Sequence, residues 1–227
     1  MIGAMSADTA TAPPGLRERK KQQTRRHIAA TARRLFADRG FEAVTVAEVA
    51  RAADVAQKTV FNYFATKEDL FYDGMVAFEE RLLDAIRDRA PGETVVGGFR
   101  AFVLAPEGVF AMKGTGTWEE ATDRLRTVTR VITESPALLA REREVLARYS
   151  DRLAALIAEE TGAGPDDVEP FAVAHALLGV HRSLIEYVRR RVVAGATAPD
   201  VAAELPAQGE AALARLESGL ADYAVKR

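Results

Sequence analysis

Apolar residues return every three or four positions along nearly the whole chain, and no stretch alternates apolar and polar residues between turn signals as a half-buried strand would. That spacing commits the chain to amphipathic helices and so to an all-α fold. From Arg17 to Arg39, Ile28, Thr31, Ala32, Leu35 and Phe36 fall on one stripe and leave the arginines outside. Gly40 is expected to end this helix, because glycine takes a positive φ at no steric cost.

The punctuation that follows is dense. Thr45-Val46-Ala47-Glu48 reads as a capping box opening a short helix to about Ala53. Asp54-Val55 leaves room only for a tight turn before a second short helix, 56 to 63, and aspartate tolerates the positive φ such a turn needs. A basic helix followed by two short helices about a tight turn is a helix-turn-helix. Thr66, with Asp69 three residues on, caps a longer helix expected to reach about Arg89. Five more helices are expected, at about 94–104, 117–134, 136–161, 167–194 and 199–225, with Pro206 either kinking or interrupting the last. The expected organisation is a tail over 1–15, a DNA-binding domain over 16–65 and a helical body over 66–227.

Charge is divided in the same way. The 227 residues carry a formal net charge of −2, yet residues 1–70 sum to +4 and the remainder to −6. A basic segment on an acidic body is the layout of a nucleic-acid-binding module attached to something else. The chain has no cysteine, which removes disulfides, thiol nucleophiles and thiolate metal sites. It has no HExxH, Walker loop or GxSxG, and His175 and His181 are six apart on one helix, too far round it to share a metal. An enzyme, a cofactor and a metal are therefore not expected. The chain does not open on a basic segment followed by an apolar run, and the apolar stretch Phe171 to Val180 is too short for a bilayer, so a cytoplasmic protein with no membrane partner is expected.

The block TRRHIAATARRLFADRGFEAVTVAEVARAADVAQKTVFNYFATKEDL, from Thr24 to Leu70, resembles the DNA-binding domain of TetR-family transcriptional regulators. The matching parts are Ala-Arg-Arg-Leu-Phe before Gly40-Phe41, Thr45 with Val46 and Glu48, and Thr59 to Phe64 followed by Thr66-Lys67-Glu68. Asp54 departs from the glycine common in that turn. The resemblance implies a homodimer on double-stranded, pseudo-palindromic DNA, joined through its last two long helices and enclosing a pocket for a small effector. It also implies phosphate contacts from Tyr63 and Lys67.

The residues supply roles of their own. Gln57, Lys58 and Thr59 stand on the first turn of the third helix, where side chains reach base edges, with Asn62 one turn further. Thr45 at a helix start suits a phosphate, and Arg17, Lys20, Lys21 and Arg25 add salt-sensitive affinity. Val60, Phe61 and Phe64 are expected in the core. Candidates for a mostly apolar effector pocket are Phe102, Phe110, Met112, Trp118, Leu125, Tyr149, His175, Leu178 and Arg182, a composition suited to acyl or aromatic ligands. The small residues Ala172, Ala176, Gly179 and Ser183, and the repeat Leu213, Leu216, Leu220, Tyr223, are candidates for a dimer seam. A helical scaffold with only non-specific nucleic-acid affinity is the alternative reading.

Overall fold

A computed structural model describes residues 15–105 and 116–220, without the side chains of Val76 and Leu220. The described residues form ten helices. The first, α1 (Leu16–Arg39), buries Ile28, Ala32 and Phe36 at successive fourth positions and stops at Gly40, whose φ is 82°. Next come α2 (Val46–Ala52) and α3 (Gln57–Tyr63). The expected capping box forms, with the Glu48 N–H donating to Thr45 Oγ1 at 3.2 Å and the Thr45 N–H donating to Glu48 Oε2 at 2.8 Å. Asp54 in the turn has φ 52°, the sole positive value outside glycine among the described residues.

Where one helix was expected from Thr66 to about Arg89, the structure has two. Thr66 caps α4 (Lys67–Phe71), the chain turns through Tyr72 and Asp73, and Gly74 at φ 106° opens α5 (Met75–Arg87). A residue at that φ cannot continue a right-handed helix. The break is held by long-range bonds. Tyr72 Oη donates to the Leu138 carbonyl at 3.1 Å, and Asp73 accepts from Arg25 Nε at 2.8 Å.

The body follows as α6 (Val95–Val103), α7 (Trp118–Thr133), α8 (Pro136–Thr161), α9 (Glu169–Val193) and α10 (Ala198–Leu220). Thr94, Thr117 and Ser135 cap the first three of these through their side chains. Pro206 lies inside α10, which runs through it without interruption. Antiparallel α8 and α9 form the spine, with α10 laid on α9 and α5 on α8.

Two hydrophobic cores result. The larger, in the body, includes Ile86, Phe99, Tyr149, Leu153 and Leu177. The smaller holds the first four helices together around Phe36, Val49, Val60, Phe64 and Leu70, and it also contains Val131, Ile132 and Leu138 from the α7–α8 corner. The reading head is thus packed on the body and not merely tethered to it. Arg130 donates to the Ala37 carbonyl at 2.7 Å, Ser135 to Glu42 at 2.6 Å, and Arg141 pairs with Asp69 at 2.8 Å across this junction. None of the described helices is long and apolar enough to cross a membrane.

Candidate nucleic-acid interface and effector core

What α3 can present to a partner depends on which side of it the head core takes. Val60 and Phe64 are 1% and 2% exposed and fix the inner side. At about 100° per residue, the outer arc then runs Gln57, Phe61, Lys58, Asn62, each about 40–60° from the next. All four are exposed, while Thr59 and Tyr63 are half-buried at the arc's edge. Phe61, expected in the core, is therefore corrected: it is 50% exposed, because Val60 and Phe64 already fill the buried side.

Beside this arc, α1 and α3 enclose a groove of about 790 Å³ lined by Gly15, Arg17, Glu18, Lys20, Lys21 and Thr24 on one wall and Thr59, Asn62 and Tyr63 on the other. Three cations against one carboxylate give this groove a positive lining, the charge that suits an anionic strand.

Three other expected phosphate contacts are otherwise engaged. Arg25 pairs with Asp73, donates to the Tyr63 carbonyl at 2.8 Å and covers the Phe64 ring at 4.6 Å, so it clips α1 to the end of α3 and to the α4–α5 break. The Lys67 ammonium lies 4.1 Å over the Phe41 ring, and burial pulls its pKa below the usual lysine value. The Thr45 hydroxyl accepts from the Glu48 N–H and donates to the Glu48 carboxylate at 2.9 Å. Those two Thr45 donors, backbone first, hold the Glu48 carboxyl at about 2, and Arg39 at 2.9 Å adds to the effect. With a carboxylate already seated there, the start of α2 is not left open for a phosphate through Thr45.

In the body, Phe78 is the centre of an aromatic cluster. Its ring centroid lies 5.4 Å from Phe102, 5.6 Å from Tyr149 and 5.1 Å from a stacked His181. Tyr149 donates its hydroxyl to the Met75 carbonyl just after the helix break. Leu178 is buried and Leu125 half-buried against the same core, while Trp118, at the start of α7, is 39% exposed. Phe110 and Met112 lie outside the described residues.

His175 and Arg182 are corrected: both are exposed on the outer side of α9, and the His175 ring bonds the Phe171 carbonyl at 2.8 Å. The imidazole of the core is His181, 3% exposed, whose pKa burial lowers to about 4. Its position four residues after Leu177 and three before Leu184 is the signal the sequence offers. Of the seam candidates, Ala172, Gly179 and Ser183 are exposed and Ala176 is half-buried. Leu213 and Leu216 instead face the body core, because the outer side of α10 belongs to Ala203, Ala207, Ala214 and Ser218. Tyr223 and the Leu220 side chain lie outside the described residues.

Comparison with known proteins bears on both parts. Residues 28–72 match the family described as bacterial regulatory proteins, tetR family, and residues 107–221 match the MftR C-terminal domain. The chain is 33% identical over 159 residues to the HTH-type transcriptional regulator TcmR of Streptomyces glaucescens, covering 68% of this chain and 67% of that one. It is 32% identical over 173 residues to the putative mycofactocin biosynthesis transcriptional regulator MftR of Mycobacterium tuberculosis, covering 74% and 81%. Among solved structures, the regulator FadR of Bacillus subtilis in complex with stearoyl-CoA shares the fold, with a TM-score of 0.52 at 21% identity over 86% of this chain and 98% of that one. With a tetR-type reading head and a regulator body matched along one chain, the protein belongs to the TetR family of DNA-binding transcriptional regulators.

Proposed function

We propose that the protein is a homodimeric cytoplasmic repressor, acting without catalysis, whose two α3 helices enter successive major grooves of a pseudo-palindromic operator about 34–36 Å apart. The observation that carries this reading is the exposed arc of α3 standing beside the cationic α1–α3 groove. Gln57 suits a bidentate contact to adenine and Lys58 a contact to guanine, while Arg17, Lys20 and Lys21 hold phosphate. Residues 16–65 read DNA and 66–227 form the responding body, with the α7–α8 corner serving both.

Dimerisation uses the outer sides of α9 and α10. Ala172, Gly179 and Ser183 beside Ala203, Ala207 and Ala214 offer a flat surface on which helices of a second copy pack closely. His175 and Arg182 stand on that side and belong to the seam. The effector site is the aromatic region around Phe78, Phe102, Tyr149 and His181, apolar with one neutral imidazole, which suits a mostly apolar ligand. The FadR structure holds stearoyl-CoA on this fold, so acyl thioesters are the first probes, followed by aromatic compounds. An effector shifts the heads only by its differential affinity for the two states.

The test is an anisotropy titration of an operator duplex, selected from random sequences by the protein, against a scrambled duplex, with and without stearoyl-CoA. Lys58→Ala is expected to lower operator affinity by roughly 1–3 kcal/mol with little effect on scrambled DNA. Equal wild-type affinity for both duplexes at every salt concentration overturns the repressor reading in favour of a scaffold with non-specific affinity.

A further inference from the structure

His27 is the histidine of the reading head, exposed at the edge of the buried stripe of α1, one turn before Thr31. Its Nε2 lies 3.2 Å from the carbonyl of Ala53, at the end of α2. A carbonyl oxygen only accepts, so the ring donates its Nε2–H. That carbonyl needs a donor from outside α2. Ala53 is 3% exposed, and the N–H groups that close the helix go to earlier carbonyls, Asp54 donating to Arg51 at 3.2 Å and Val55 to Ala50 at 3.0 Å. A helix leaves its last carbonyls unpaired, and a histidine can close one of them.

The next residue makes this bond matter. Asp54 holds φ 52°, and its side chain makes no hydrogen bond or ion pair among the described residues, so nothing of its own offsets a conformation that glycine takes freely. Only Val55 and Ala56 then lead into α3, and Ala56 gives that helix no side-chain cap. The direction of α3 therefore depends on the turn at Ala53 and Asp54. Since α3 is about 10 Å long, a swing of about 10° at the turn moves its far end by roughly 2 Å. That is more than a hydrogen bond to a base edge tolerates. We infer that His27 is a positioning residue of the reading head: by holding the Ala53 carbonyl, it fixes the turn that aims α3. At the other end of α3, Arg25 holds the Tyr63 carbonyl at 2.8 Å, so α1 grips the reading helix at both ends. The inference rests on the operator-binding role of α3 proposed above.

The test joins hydrogen exchange on the free protein to anisotropy on the selected operator and the scrambled duplex. In His27→Ala, exchange of the Asp54 and Val55 amides is expected to quicken by about fivefold, the value of one hydrogen bond, with the amides of Ile28 to Phe36 unchanged. Operator affinity falls by up to about fivefold per reading head, and affinity for the scrambled duplex stays the same. His27→Gln, whose side-chain N–H reaches the same carbonyl, restores both. Asp54→Gly supplies a turn that needs no support, so adding His27→Ala to it changes operator affinity little. Four outcomes overturn the inference while leaving operator binding intact: unchanged exchange in His27→Ala, no recovery in His27→Gln, an equal loss on both duplexes, or an equal loss with and without Asp54→Gly. Failure of selection to enrich any sequence overturns the operator reading itself, and the positioning role with it, whatever the exchange shows.

Discussion

His175 and His181 stand on one helix, six positions apart, and meet opposite surroundings: His175 is exposed, and His181 is stacked on Phe78 in the body core. Burial lowers the His181 pKa from its ordinary value near 6.5 to about 4, so the folded state holds the neutral ring. The unfolded chain takes up its proton first as pH falls, so the stability this neutrality confers is complete above about 6.5 and is lost between there and about 4. The loss across that window is expected to be about 3 kcal/mol. Urea unfolding at pH 7, 5.5 and 4 should show a pH profile for His181→Phe flatter than the wild-type profile by that amount. Parallel profiles would show that the imidazole is not held neutral by the core. The sequence allows either histidine to be the buried one, because α9 carries two stripes without many charges. One faces the core, and the other is a surface of small residues, so periodicity gives two inner sides where the fold has one. Phe61 is the same kind of case, an apolar residue whose side of the helix is settled only once Val60 and Phe64 have taken the core.

Elements are more legible than residues, for a local reason. The capping boxes at Thr45, Thr66 and Thr117 are complete within four residues, so sequence alone places those helix starts, and the structure forms all three. The break at Tyr72 to Gly74 does not show in the sequence because its ties are distant, reaching Arg25 in α1 and Leu138 and Glu142 in α8. Glu142 also binds Arg189 of α9 at 3.0 Å, and both residues are 7% exposed, so the helix break, α8 and α9 meet in one buried charged network. Burial and the neighbouring Glu142 charge push the Tyr72 phenol above its ordinary pKa, which keeps it a neutral donor. Removing one member leaves the other charge desolvated. Glu142→Ala is expected to cost about 3–5 kcal/mol in chemical denaturation, and pairing Glu142→Leu with Arg189→Met should recover most of it. The partly exposed Arg141–Asp69 pair across the same junction is worth no more than about 1 kcal/mol, so Arg141→Ala is the contrasting control. Equal small losses for both would place the network outside the stability of the junction.

Across the whole molecule, the division into +4 and −6 shows which part meets DNA, but not which cations touch it. Arg17, Lys20 and Lys21 line the α1–α3 groove, whereas Arg25, only four residues beyond Lys21, is held by Asp73, the Tyr63 carbonyl and the Phe64 ring. These two uses of a cation separate in the salt dependence of binding. Each phosphate that the protein no longer neutralises should lower the slope of log affinity against log salt by about 0.9. Replacing Arg17, Lys20 and Lys21 by alanine takes three cations from each protomer of the proposed dimer, whose slope should fall by about 5, equally for operator and scrambled DNA. Arg25→Ala should leave the slope unchanged within about one unit while lowering the melting temperature, since its charge is spent on joining α1 to the helix break. A slope that falls by about two or more for Arg25→Ala would mean that the guanidinium leaves Asp73 for phosphate when DNA arrives. The reading head would then be held to α5 less firmly on the operator than off it, and the break at Gly74 would be free to move at the moment of binding.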